Sequence, residues 1–121
     1  MVALGGAVGA VARYLVSGWV QTRADVPFPA GTFVVNILGC LILGALLAAA
    51  ETRGALSAET RAFFAIGILG SFTTFSTFGW ETVELMRAGR PALAFANVAG
   101  SLLLGLAAVW IGRALVRALA G

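Results

Sequence analysis

The sequence predicts an all-α integral membrane protein of four transmembrane helices, the third broken near its middle. Three observations predict it. Of 121 residues, 60% are hydrophobic and only 11% charged, and the mean hydropathy of +1.00 lies far above that of water-soluble domains. A hydrocarbon core about 30 Å thick needs roughly 20 apolar residues per helix, and four such runs occupy nearly all of the chain: 1–20, 31–50, 62–80 and 91–112. Finally, the third run contains "GILGSFTTFSTFG", residues 67–79, in which glycines and hydroxyls stand where a span should be most apolar.

Taken in order, the helices are expected at about 1–20, 31–50, 62–86 and 91–117, forming one four-helix unit over residues 1–121. The first run has no basic start and carries Arg13 inside it, which argues against a cleaved signal peptide. Pro27 and Pro29 in "QTRADVPFPAG" mark a turn between the first two spans. The loop "ETRGALSAETR" offers Ser57 to Thr60 as a capped start for the third helix. A tight loop, "MRAGRP", places Pro91 at the start of the fourth. Gly5, Gly6 and Gly9, then Gly39 and Gly44, then Gly100 and Gly105 supply small surfaces for close helix contact in lipid.

Composition excludes several functions. The chain is too short for an added nucleotide-binding domain, and "GGAVGA" follows no strand and lacks the Lys-Ser/Thr end of a phosphate loop. Histidine and lysine do not occur, and Cys40 lies in an apolar run as a packing residue, so soft-metal sites and disulfides lack ligands. The net charge of +3 comes from arginines mostly at helix ends, which suits anchoring at lipid headgroups rather than nucleic acid binding. The side bearing the termini and second loop holds Arg53, Arg61, Arg113 and Arg117; the other holds Arg23, Arg87 and Arg90. So small a bias permits insertion in both orientations.

The residues able to carry chemistry lie inside the spans. A guanidinium at Arg13 either snorkels to an interface, about 12 Å away along the helix, or attracts anions to a vestibule. The Asn36 amide either bonds across helices or offers its NH2 to a dehydrated anion. Five hydroxyls in seven residues beside Gly70 predict that the third helix breaks near that glycine. Broken backbone at membrane depth lines a cavity or is buried in protein, and its free carbonyls suit a cation. Phe75 and Phe78, three apart, share a helical face, either as packing or with ring edges toward an anion.

In "GGAVGAVARY", "GTFVVNILG", "GSFTTFSTF" and "SLLLGLAAVWIG", four ordered motifs covering essentially the whole chain, the sequence resembles the Fluc (CrcB) family of small fluoride channels. The resemblance implies an antiparallel, dual-topology homodimer in the cytoplasmic membrane of a prokaryote, with two narrow pathways that pass fluoride passively and lower its level in the cell. It implies that Asn36, Phe75, Phe78 and Ser101 line the fluoride pathway, that Thr74 and Thr77 add hydroxyls to it, and that Arg13 stands near the aqueous vestibule. It further implies that carbonyls of Gly70 and Thr73 from both subunits hold a structural sodium ion. Where the family often has tyrosine and a further hydroxyl, this chain has Asn97 and Gly105. The competing class is a small multidrug or cation exchanger of four helices, which needs a carboxylate deep in the bundle. Here Asp25, Glu51, Glu59, Glu81 and Glu84 lie in loops or near span ends. A structural subunit without transport is a third reading, and it leaves the hydroxyl cluster unexplained. No catalytic residue is expected.

Overall fold

The computed structural model describes residues 1–54 and 56–121, with Arg53 described by its backbone alone. The Arg53 side chain, counted above among the headgroup arginines, therefore lies outside the described residues. Helix α1 runs Val2–Ala24 and stops at Asp25, whose left-handed conformation (φ 44°) returns its N–H to the Gln21 carbonyl. Gln21 then pins the following turn: Nε2 donates to the carbonyls of Val26 and Phe28 at 3.2 and 3.1 Å, and Oε1 accepts the Gly31 N–H at 3.0 Å. Helix α2, Ala30–Arg53, ends at Gly54 with φ 61°, the left-handed cap that glycine adopts without a Cβ clash.

The third span is composite. A short α3, Ala58–Arg61, is capped as expected by Ser57, whose hydroxyl accepts the Thr60 N–H at 3.1 Å. It leads into a π-helical segment, Ala62–Leu69, and a single turn α4, Gly70–Phe72. Thr73 and Thr74 are then extended, with ψ 156° and 114°, before α5 begins at Phe75 and runs to Arg87. Helix α6, Pro91–Ala120, carries its proline at the first position, where the missing N–H costs nothing. The four stretches long and apolar enough to cross a membrane are Val2–Ala24, Ala30–Thr52, Ala58–Arg87 and Pro91–Ala120.

Two expectations gain detail. The helices run a few residues past the apolar runs, because backbone hydrogen bonding continues through their polar ends. The break, expected near Gly70, falls three residues beyond it at Thr73–Thr74, and Gly70 itself is helical at φ −61° and ψ −32°. β-Branched threonine tolerates extended backbone better than helix, and the Thr74 hydroxyl caps the helix that follows.

Packing is inside-out relative to a soluble protein. Only 11–22% of the residues in each apolar window are buried, and Tyr14, Leu15, Leu103, Leu106 and Trp110 present their side chains outward as a lipid-facing surface. Helix α2 pairs most extensively with α6, and α1 with the π segment. Both contacts depend on missing side chains: a Cβ on Gly44 would meet the Val109 carbonyl, on Gly112 the Leu41 carbonyl, and on Gly9 the Ile68 carbonyl. At one end Glu51 accepts from Arg113 at 3.1 and 3.0 Å and from Arg117 at 3.5 Å. Near the other, Arg23 lies over the Trp19 ring at 5.0 Å, an arginine–aromatic pair suited to an interface.

The α1 contact makes a direct test. Gly9→Ala forces a methyl against backbone that no rotamer change relieves, and overpacking of this kind costs about 1–3 kcal/mol. Gly18→Ala, which meets nothing within 4 Å on the same helix, is neutral or stabilising. Thermal unfolding in mild detergent should separate the two; equal melting temperatures would refute the close α1 approach.

Candidate ion site at the broken helix

An interruption in the third span releases backbone groups that an intact helix would pair. The Thr74 N–H, due to reach the Gly70 carbonyl, donates instead to Asn36 Oδ1 at 2.8 Å. The Thr77 N–H, due to reach Thr73, donates instead to Thr74 Oγ1 at 3.3 Å. The carbonyls of Gly70 and Thr73 thereby lose their helical partners. Two neighbouring carbonyls are taken up by other helices: Asn36 Nδ2 donates to Thr74 O at 3.0 Å, and Arg13 Nε donates to Ser71 O at 3.0 Å. Thr73 stays on the preceding turn, its N–H and hydroxyl both donating to the Leu69 carbonyl.

Beside the break lies a groove of about 330 Å³. It brings together Asn36, Gly70, Thr73, Thr74, Phe75, Phe78 and Ser101, seven of the nine residues singled out in the sequence. The Phe75 and Phe78 rings are 5.5 Å apart and inclined at 43°; Phe75, 83% exposed, forms the open side. Ser101 Oγ is buried and has no hydrogen-bond partner among the described residues. A helical serine ordinarily bonds back to its own turn, so this free hydroxyl is donor capacity left for something else. Cys40 lines the same groove, and Gly105 packs against its sulfur.

Thr77 and Arg13 stand outside the lining. Thr74 donates its hydroxyl to Thr77 Oγ1 at 3.0 Å while capping α5, so these two hydroxyls are joined to one another. Arg13 is tied to the broken helix rather than extended along α1 to an interface.

A second polar cluster continues from the groove, and sequence reasoning missed most of it. Thr32, one turn before Asn36, is buried and donates to Glu81 Oε1 at 2.9 Å. The other Glu81 oxygen is buried without a partner among the described residues. Asn97, 1% exposed and one turn before Ser101, donates to Thr82 Oγ1 at 2.9 Å, and Thr82 donates to the Phe78 carbonyl at 2.7 Å. A second hollow, of about 350 Å³, adjoins Glu81 and is edged by Pro27, Pro29, Glu84 and Arg90. The available signal was helical spacing: Thr32 and Asn97 each precede a site residue by four.

Four apolar spans, one of them broken at mid-depth beside a groove with an unpaired hydroxyl, define a multi-pass membrane protein with an internal polar site. The sequence model of CrcB-like proteins, described as Camphor Resistance (CrcB), matches residues 1–113, and the chain belongs to that family. It is 44% identical to a fluoride-specific ion channel FluC of Methylobacillus flagellatus over 118 residues, 97% of this chain and 92% of the relative. It is 48% identical to the protein of that name from Nitratidesulfovibrio vulgaris over 113 residues, 93% and 90% of the two chains. With a further namesake, from Acidobacterium capsulatum, it shares 42% over 111 residues, 92% and 89%.

Asn36 serves both backbone polar groups of one residue, Thr74, which sets its expected substitution pattern. Asn36→Ala strands the Thr74 N–H, at about 1–3 kcal/mol if left unpaired, and takes a side-chain donor from the Thr74 carbonyl, which as the N-cap of α5 keeps its helical partner. Asn36→Asp keeps the acceptor for the N–H but opposes a carboxylate to the carbonyl. Both should lower the melting temperature and speed amide exchange at Thr74; unchanged exchange in Asn36→Ala would show that the amide does not hold the break.

Proposed function

We propose that the protein is a fluoride channel of the cytoplasmic membrane, passing fluoride passively down its electrochemical gradient and lowering its concentration in the cell. The observation that carries this reading is the Ser101 hydroxyl, buried and unpaired in a groove shared with Asn36 and Phe78, in a chain similar to proteins named fluoride-specific ion channels. Fluoride is small and tightly hydrated, so a pathway must replace its water with fixed donors in a space too narrow for larger anions. Ser101 supplies an O–H, and Asn36 has a second amide hydrogen beyond the one on Thr74. The edges of Phe75 and Phe78 carry the positive side of the ring quadrupole.

The Gly70 and Thr73 carbonyls fit a sodium ion: they are hard oxygen donors whose helical partners are engaged elsewhere. Together with the same pair from a second copy they would hold it at the dimer axis, where its fixed charge offsets the cost of an anion at membrane depth. The near balance of arginines on the two sides supports an antiparallel pairing of two oppositely inserted copies. A coupled multidrug or cation exchanger is not supported: the relatives carry the channel name, and Glu81 lies six residues from the end of its span.

Liposomes holding only this protein should release fluoride and retain chloride, read by ion-selective electrodes. Ser101→Ala should slow release at least about tenfold, because a hydrogen bond to an ion contributes about 1.5–3 kcal/mol, and Phe78→Ala should slow it through loss of the ring edge, while in both the assembly keeps its size. Equal release of both halides, or full flux in both variants, refutes the assignment.

Orientation is tested separately. Two or three added arginines in the loop at 51–61 should drive most copies one way, since charge in short loops sets topology, and abolish fluoride resistance of cells expressing that variant alone. Co-expression of a variant with its added arginines at 21–30 should restore it. A variant shown by cysteine labelling to be singly oriented that still conducts fully by itself would require a parallel assembly.

A further inference from the structure

Arg13 sits one turn beyond Gly9 and two beyond Gly5, on the face of α1 that meets the third span. At that depth a guanidinium is costly unless it is paired, and its Nε donates to the Ser71 carbonyl at 3.0 Å. In an unbroken helix that carbonyl would take the Phe75 N–H, but Phe75 opens the next helix. Two turns earlier on α1, Gly6 leaves room for the Ser71 hydroxyl. On the other side of the break, Asn36 of α2 holds Thr74. Clamped carbonyls at 71 and 74 thus each follow, by one residue, the released carbonyls at 70 and 73. Holding a carbonyl restricts the direction of the one before it, since only the two torsions of a single residue intervene and most of their range is sterically closed.

We propose that Arg13 is a positioning residue for the break: through its Nε–H on the Ser71 carbonyl it holds α4 against α1 and so sets the direction of the Gly70 and Thr73 carbonyls. Its contribution is the donor at Nε and not the attraction of anions by its charge. The inference rests on the channel reading and deepens it, by assigning the cation site a support drawn from α1.

The side-chain chemistry separates donor from charge. Glutamine places its amide nitrogen the same number of bonds from Cα as arginine Nε, keeping a donor there without the charge. Lysine keeps the charge but has a methylene at that position. Methionine keeps neither. With wild type, Arg13→Gln, Arg13→Lys and Arg13→Met in lipid nanodiscs and liposomes, two readouts follow: amide exchange over residues 70–75, and fluoride release as a function of sodium concentration.

Arg13→Gln should stay within a few-fold of wild type in both, whereas Arg13→Lys should exchange faster and need more sodium for half-maximal release, each by about tenfold, the loss of one hydrogen bond. Arg13→Met should behave as Arg13→Lys; should it fail to assemble, the Gln and Lys pair still decides. Retained behaviour in Arg13→Lys with loss in Arg13→Gln assigns the role to charge and overturns the proposal, as does wild-type exchange in all the variants. Because exchange is read without transport, a wild-type protein that releases no fluoride would sink the channel reading while the exchange comparison still tests the clamp.

Discussion

Everything at the centre of this molecule depends on one constraint: in lipid, every backbone N–H and C=O needs a partner within the protein. Extending Thr73 and Thr74 at mid-span withdraws helical partners from several groups at once, and an unpaired amide there costs several kcal/mol. Three side chains answer the demand. The Thr74 hydroxyl caps α5, Asn36 bonds both the N–H and the C=O of Thr74, and Arg13 takes the Ser71 carbonyl. Each of them is a residue type that hydropathy alone would reject from a span, and each is admitted because the break makes its polarity an asset.

What those side chains do not satisfy is as informative as what they do. The Gly70 and Thr73 carbonyls are released as acceptors, while the Ser101 hydroxyl is left as a donor. Acceptors attract a cation and donors attract an anion, so one groove offers complementary settings for both signs within a few residues. Glu81 extends the polar line toward the turn at 25–29, held by Thr32 on one oxygen only.

The four spans were legible because hydropathy and length suffice to find them, and the Ser57 cap and Pro91 start because their chemistry is local. The break was legible as a clash of glycine, β-branched residues and hydroxyls with a helical span. Its position was legible only to within three residues, near Gly70, since composition does not say which residue takes the extended angles, and threonine takes them. The partners of Asn36 and Arg13 were not legible at all. They lie 38 and 58 residues away along the chain, and only the way α1 and α2 lie against the third span brings them together. For the same reason Thr32 went unremarked, and Asn97 stood out only as a departure from the family's tyrosine, until their contacts, 49 and 15 residues distant, were formed.

That packing also explains why a break is needed. Before it, the π segment and α4 lie along α1, where Gly5 and Gly9 admit the opposing backbone; after it, α5 lies along α6. A straight helix follows one direction and keeps one set of neighbours along its face, so it cannot serve both partners across a single membrane. Two extended residues let the span change partners at mid-depth, and the change leaves a space that neither half fills. The groove is therefore the geometric remainder of joining an α1-packed half to an α6-packed half. Arg13 and Asn36 hold the joint from α1 and α2, and the polar groups that line the space follow from the backbone the joint exposes.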